Sequence, residues 1–461
     1  MIRRTTALIV AGVTAAAAAA AGVALAGTDT ASTVEHHTGA ITWQPCPAGN
    51  VALECGQVQV PVHWQKPNDD SISLKVARLP ATGERRGSVV VNPGGPGIPG
   101  TQFLIGFASR FGSALRSSFD IVSWDPRGVG GSAPIRCPGI AKNSDGIPTS
   151  VSEREQFEQI TAAWATACRK AVGPLFDTVD TMSNARDLDH LRTQLGEKKL
   201  NYYGGSYGTR IGQFYADLFP HRVGRMTIDS VVDTTSENGE FIDGATRARE
   251  EAFTDYVTTC ADRAGCPLTG MTLPDVQSRL APLIAEEPAV GGEIVGNLTS
   301  PSSWPKIDEH LTKVLAGTYQ PDKGPDVSGE VLNNNVNCLD LPDHRSAQQV
   351  IDDSEVAAAR YPLFGRLFAA TTVCNQWPAP ATYRPHRITS PVPVLVVGTT
   401  HDTATPYDWA VRTAENLGAG RLLTRQATDH GAYGKTDCIT SAVDRFFVDG
   451  TLPPAGQMCV G

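Results

Sequence analysis

The chain has 461 residues, is 41% hydrophobic and carries a formal net charge of −9 at pH 7. That acidic balance argues against nucleic acid and against an anionic membrane surface as partners. The length allows one large core plus an insertion or a second domain.

Met1-Ile2-Arg3-Arg4 leads into an Ala-rich apolar stretch that ends Ala24-Leu25-Ala26. A basic start, an apolar middle and an A-x-A end predict a secretory signal peptide over 1–26, hence a secreted, extracellular protein off the membrane after cleavage. An uncleaved anchor is the weaker reading, because alanine is only weakly apolar. Residues 27–39 are polar and aperiodic and read as a pro-segment or a disordered lead. All ten cysteines follow the signal. An even count in an exported chain suggests disulfides, and the absence of C-x-x-C argues against a zinc knuckle or a thioredoxin-like site. Connectivity stays open in the sequence; pairing neighbours gives Cys46–Cys55, Cys137–Cys168, Cys260–Cys266, Cys338–Cys374 and Cys438–Cys459.

The elements that follow alternate as α/β. Val58–Val62 and Ile72–Ala77 have the period of half-exposed strands, whereas Ser88–Asn92 and Ile121–Trp124 are continuous apolar runs of the buried parallel kind. Asp187–Leu195 is helical, with Leu188, Leu191 and Leu195 on one face. A short strand enters Gly204-Gly205-Ser206-Tyr207-Gly208, a helix follows to Leu218, and Arg225–Val232 is a further strand. From Thr234 to His386 strand character fades. Helices are expected at Thr246–Cys260, Asp275–Glu286, Ile307–Ala316 and Ala347–Arg360, as in an inserted cap. Strands resume at Pro393–Gly398 and Arg421–Leu423, and a helix spans Thr440–Phe447. The expected division is thus a core over 40–233, a helical cap over 234–386 and the rest of the core over 387–461.

Gly204-x-Ser206-x-Gly208 between a strand and a helix has the form of a nucleophile elbow, which holds a serine hydroxyl above a helix N-terminus. A serine needs a base, and the base needs an orienting acid. On such a sheet the chain order is serine, acid, histidine. Asp402 follows the Val394–Val397 strand directly, and His430 is the single histidine after it. Ser206, Asp402 and His430 are therefore the expected catalytic residues. Asp408 and Asp429 are weaker acids because neither ends a strand. His401 precedes Asp402, breaks the order and reads as structural. The oxyanion hole is expected from the backbone N–H groups of Tyr207 and Gly95, the latter in Asn92-Pro93-Gly94-Gly95-Pro96-Gly97. Gly95-Pro96-Gly97-Ile98-Pro99-Gly100 also matches a dinucleotide-binding fingerprint, but Pro96 and Pro99 lack the N–H groups a pyrophosphate needs. Arg127, in Asp125–Gly130, reads as half of a structural ion pair beneath the elbow.

Taken together, Cys46 with Glu54-Cys55, Asn92–Gly97, Asp125–Gly130, Gly204–Gly208, Asp402 with Thr405-Pro406, and His430-Gly431 resemble the secreted tripeptidyl-aminopeptidase branch of the α/β-hydrolase serine peptidases. That branch is related to the proline iminopeptidases, which carry histidine where Pro93 stands here. The resemblance implies an α/β-hydrolase fold with a mainly helical cap. It implies a serine exopeptidase that releases short peptides, tripeptides above all, from free N-termini. No cofactor or metal is implied, the partners are peptide or protein N-termini, and a monomer is expected. An esterase or lipase with the same machinery, or a single-residue aminopeptidase, are the alternatives. An aminopeptidase must also hold the substrate ammonium, and Asp233, Glu237 and Glu240 at the start of the cap are the acids the resemblance suggests for that.

Overall fold

The computed structural model describes residues 41–47, 52–137, 146–321, 328–379, 381 and 383–461. The expected signal peptide and lead lie outside the described residues.

Ten strands form one sheet: β1 (Gln44–Pro45), β2 (Glu54–Pro61), β3 (Ser71–Leu79), β4 (Gly87–Asn92), β5 (Phe119–Trp124), β6 (Leu200–Gly205), β7 (Val223–Asp229), β8 (Val394–His401), β9 (Gly420–Thr428) and β10 (Met458–Val460). Their order is β1-β2-β3-β5-β4-β6-β7-β8-β9-β10. The pairings from β1 through β3 to β5 are antiparallel, and every pairing from β5 to β10 is parallel. β4 and β5 are buried along their whole length, which is why their sequences show no alternation. Val90, Tyr202, Ile228 and Val396 pack on one face with the helices Thr181–Gln194 and Tyr207–Leu218. Val89, Val91, Leu395 and Val397 pack on the other, against Ile439, Val443 and Phe447 of the helix Asp437–Asp449. The result is a three-layer α/β-hydrolase fold.

The order reverses at β4. The chain leaves β4 for β5 on one side and returns to β6 on the other, so the loops after β4 and β6 open at one switch point. Asn92 is the register partner of Gly204. The glycine loop and the Ser206 turn are therefore neighbours by construction of the sheet.

Between β7 and β8 the described residues hold helices and no strand: Asn238–Thr258, Leu273–Glu286, Pro288–Asn297, Trp304–Leu315, Ser328–Asp340, Ala347–Arg360 and Gly365–Ala370. They build a separate apolar cluster that includes Phe253, Tyr256, Leu280, Ile307, Leu311 and Phe364. Two boundaries differ from expectation. β7 stops at Asp229, because Ser230 turns the chain with φ of +56°. The helix expected from Thr246 begins at Asn238, where Glu237 and Glu240 form a capping box. A helix between β5 and β6 also contacts the cap. Val151–Val172 is a helix opened by the Ser150–Glu153 capping box, and it reaches the cap: Arg154 donates to Ala370 O and Asn375 Oδ1, both at 2.8 Å. This segment, placed by sequence in the core, packs with the cap layer.

All five expected cysteine pairs are at disulfide distance. Arg127 lies in a fully buried two-pronged pair with Asp187, at 2.6 and 2.7 Å, and its remaining donors reach the carbonyls of Pro61, Val62 and Thr178. Removing one partner strands a buried charge. Arg127→Met is expected to cost about 3–5 kcal/mol in urea unfolding, and Arg127→Met/Asp187→Leu less than either single change. A neutral Arg127→Met would show that the pair does not hold the loop.

Candidate active site

Ser206 caps the helix Tyr207–Leu218 with φ of +53° and ψ of −127°, a strained conformation for a residue with a side chain. The glycines around it are required by contact. A Cβ on Gly204 would lie 2.4 Å from Gly208 O, and one on Gly208 would lie 2.6 Å from Asn92 O. A Cβ on Gly94 would lie 2.7 Å from the Tyr207 nitrogen. The glycine loop thus presses against the turn, held by Gly94 N–H donating to Asn92 Oδ1 at 2.9 Å. Gly95, Ser206 and Tyr207 line one cavity of about 160 Å³.

Asp402 and His430 meet. His430 Nδ1 is 2.8 Å from Asp402 Oδ1. The carboxylate is buried and accepts three further bonds, from Ser230 Oγ at 2.6 Å, Ala404 N at 3.0 Å and Thr405 N at 2.8 Å. Burial alone would favour the neutral acid, but His430 and these donors outweigh it and hold the Asp402 carboxyl below its ordinary value. Burial likewise works against charge on His430, yet Asp402, and less directly Asp229, raise its pKa above the ordinary 6.5. Among the described residues no hydrogen bond joins Ser206 Oγ to His430. Such contacts tighten when substrate closes a site.

The residues after His430 are set by a second carboxylate that the sequence did not flag. Asp229, at the end of β7, accepts from Ala432 N and Tyr433 N, each at 2.9 Å, and from Tyr203 OH at 2.8 Å. Ser230 next to it donates to Asp402 and accepts from Gly431 N–H at 2.7 Å. The only sequence trace of this clamp is the Asp-Ser pair where β7 ends. His430 N–H also donates to Thr299 O of the cap at 2.9 Å.

The other expected residues are placed as follows. His401 is exposed and pairs with Asp255 of the cap at 2.7 Å. Asp408 pairs with Arg247 and Arg412, and Asp429 with Arg425 and Lys435. The structure does not bring Asp233, Glu237 or Glu240 to the Ser206 cavity. Asp233 is buried against Arg412 at 2.9 Å and turns back on Thr235, while Glu237 and Glu240 cap a helix start. Asp233 and Glu240 instead line a separate cavity of about 800 Å³ that shares no lining residue with the one at Ser206. A cavity of about 510 Å³ under the cap does share lining with it, namely Phe241, Ala245, Arg249, Asn333 and Asn337. No Asp or Glu among the described residues lines either of these two.

A parallel sheet with its serine turn, histidine and buried aspartate at the carboxyl ends of β6, β9 and β8 defines a serine hydrolase of the α/β-hydrolase fold. Comparison with known proteins narrows the class. Residues 361–459 match the model of the TAP-like protein family. Serine protease Hip1 of Mycobacterium tuberculosis is 33% identical, over 91% of each chain. Tripeptidyl aminopeptidase of Streptomyces coelicolor is 31% identical, over 91% of this chain and 86% of its own. Carboxylesterase B of Mycobacterium tuberculosis is 31% identical, over 88% and 86%. The chain belongs to the TAP-like family of α/β-hydrolase serine peptidases.

Two measurements test this geometry. Ser230→Ala removes a hydroxyl bonded to the charged carboxylate, an interaction worth about 1.5–3 kcal/mol. It should lower kcat by roughly 10- to 100-fold with little change in KM. An unchanged kcat would relieve Ser230 of any positioning role. An imidazole that accepts a proton must be neutral, so activity is lost as pH falls through its pKa. Because the His430 pKa is raised, the acid limb of kcat/KM should have its midpoint above 6.5. Asp402→Asn leaves the burial and removes the main raising charge. It should shift that limb to lower pH and cut kcat by on the order of 10⁴. A limb that stays put would separate Asp402 from His430.

Proposed function

We propose that this is a secreted serine exopeptidase that releases short peptides, tripeptides foremost, from the free N-termini of peptides or proteins. Ser206 Oγ attacks the scissile carbonyl and His430 takes its proton. Asp402 holds the imidazole by Nδ1 and stabilises its charge. The backbone N–H groups of Gly95 and Tyr207 receive the oxyanion. His430 returns the proton to the leaving amine, and water then releases the acyl group by the same path in reverse. The observation that carries this reading is the His430–Asp402 bond at the sheet end where the Ser206 turn faces the glycine loop. The capped space supports a short acyl segment, since about 510 Å³ lies within the range of small-ligand sites, roughly 300–1,000 Å³. Export is supported by the five disulfides and by the predicted signal at 1–26. Among the described residues no helix is long and apolar enough to cross a membrane.

Ester hydrolysis is the second reading. It is favoured by the carboxylesterase among the relatives and by the absence, among described residues, of an acid lining the cavity that could hold an ammonium group.

The test uses chromogenic amides of one and three residues, N-blocked counterparts and a short-chain ester. Turnover is expected to be fastest on the free tripeptide amide and to vanish in Ser206→Ala. Equal rates on N-blocked peptides would overturn the exopeptidase reading, and ester-only turnover would favour the second. Residual activity in Ser206→Ala would remove Ser206 as nucleophile.

A further inference from the structure

Arg249 is a cap arginine for which the described residues supply no carboxylate. It stands on the cap helix Asn238–Thr258 and lines both the Ser206 cavity and the larger space beneath the cap. Four other arginines of the cap are matched to carboxylates: Arg247 to Asp408, Arg263 to Asp308, Arg345 to Asp343 and Arg360 to Asp243. Among the described residues no carboxylate pairs with Arg249. Its guanidinium gives one bond, from Nη1 to Ala245 O of its own helix at 2.7 Å, and lies 4.7 Å from the centre of the Phe368 ring. Its Nε is buried and has no hydrogen-bond partner.

A second guanidinium borders the same cavity. Arg210, on the helix that follows Ser206, is buried with its Nη1 3.5 Å from Asp340 and no hydrogen bond at either Nη. The described lining therefore offers two guanidinium groups and no carboxylate of its own. Asn333 and Asn337 also line the space, Asn337 Nδ2 donating to Asn333 Oδ1 at 2.9 Å. Burial lowers the Arg249 pKa to about 10, against the pull of Asp402, so the group remains a cation at neutral pH. A half-buried guanidinium with a buried, unpartnered Nε and no carboxylate beside it is costly unless something anionic arrives to meet it. Its planar fork fits a carboxylate with two parallel bonds.

We propose that Arg249 reads a carboxylate on the substrate, so that the favoured peptides carry an acidic side chain or a free C-terminal carboxylate that reaches into the cap cavity. This rests on the serine-peptidase reading of Ser206 and adds to it the substrate's charge. Arg249 is a specificity residue here and takes no part in bond breaking.

Matched peptides separate the sources of the carboxylate. One arm compares Glu with Gln at each position of a short peptide, and the other compares a C-terminal acid with its amide. The wild-type protein should prefer the carboxylate form by roughly 10-fold or more in kcat/KM in one arm, and that arm identifies the source. Arg249→Gln should bring the ratio close to one, and Arg249→Lys should keep part of it. A wild-type ratio near one in both arms overturns the inference, as does a preference that survives Arg249→Gln. Calorimetry with the same peptides on Ser206→Ala needs no turnover. Tighter binding of the carboxylate form to Ser206→Ala than to Ser206→Ala/Arg249→Gln, when the wild-type protein cleaves none of the peptides, would keep the site and sink the peptidase reading. Cleavage without discrimination would do the reverse.

Discussion

The site depends on keeping Asp402 ionised while it is buried. Removal from water favours the neutral acid, and a neutral acid could neither orient His430 nor stabilise its charge. The protein meets this with donors from three separated segments. Ser230 comes from the end of β7, Ala404 and Thr405 from the turn after β8, and His430 from beyond β9. These three strands are adjacent and parallel, so their carboxyl ends deliver the donors to one point. Asp229 is balanced the other way, burial pushing its carboxyl above the ordinary value despite its donors. It sits beside the pair as a second buried carboxylate and spends its bonds on the backbone of Ala432 and Tyr433, which fixes the segment after the histidine.

The serine side of the site is a matter of close approach rather than charge. Strands β4 and β6 pair so that Asn92 faces Gly204, and at Gly94, Gly204 and Gly208 there is no room for a Cβ. Three glycines at positions 94, 204 and 208 let backbone meet backbone near Ser206. That closeness puts the Gly95 and Tyr207 backbones on the wall of one small cavity. The strained backbone at Ser206 persists because the surrounding contacts leave it no alternative.

Much of this was legible in the chain. The β-branched runs of β4 and β8 mark buried parallel strands, and the order Ser206, Asp402, His430 with one eligible histidine singles out the residues that cluster at the sheet end. What sequence missed were contacts without local pattern. Ser230 and Asp229 look like the tail of a strand, and only the positive φ at Ser230 reveals a turn. The helix Val151–Val172 carries a capping box, Ser150 with Glu153, that would have located it, yet nothing local says that Arg154 reaches the cap. The acids at 233, 237 and 240 lie away from the Ser206 cavity. Their position at the cap's start suggested a role, but each has a nearer partner: Arg412 for Asp233, and a helix start for the two glutamates. Arg249 is invisible in sequence because its meaning lies in the partner it lacks among the described residues.

The cap and the catalytic loops are joined by a few polar contacts: Thr299 O with His430 N–H, and Asp255 with His401 and Thr428. The cap is thus tied to the sheet end where the chemistry is assigned, and a change in its seating bears on the histidine directly. The central claim is that Ser206 is a nucleophile activated by His430. It is tested most directly by reacting the protein with a fluorophosphonate and mapping the adduct by mass spectrometry. A single adduct on Ser206, formed far more slowly in His430→Ala, is the expected result. An adduct elsewhere, or labelling of Ser206 that does not depend on His430, would contradict it.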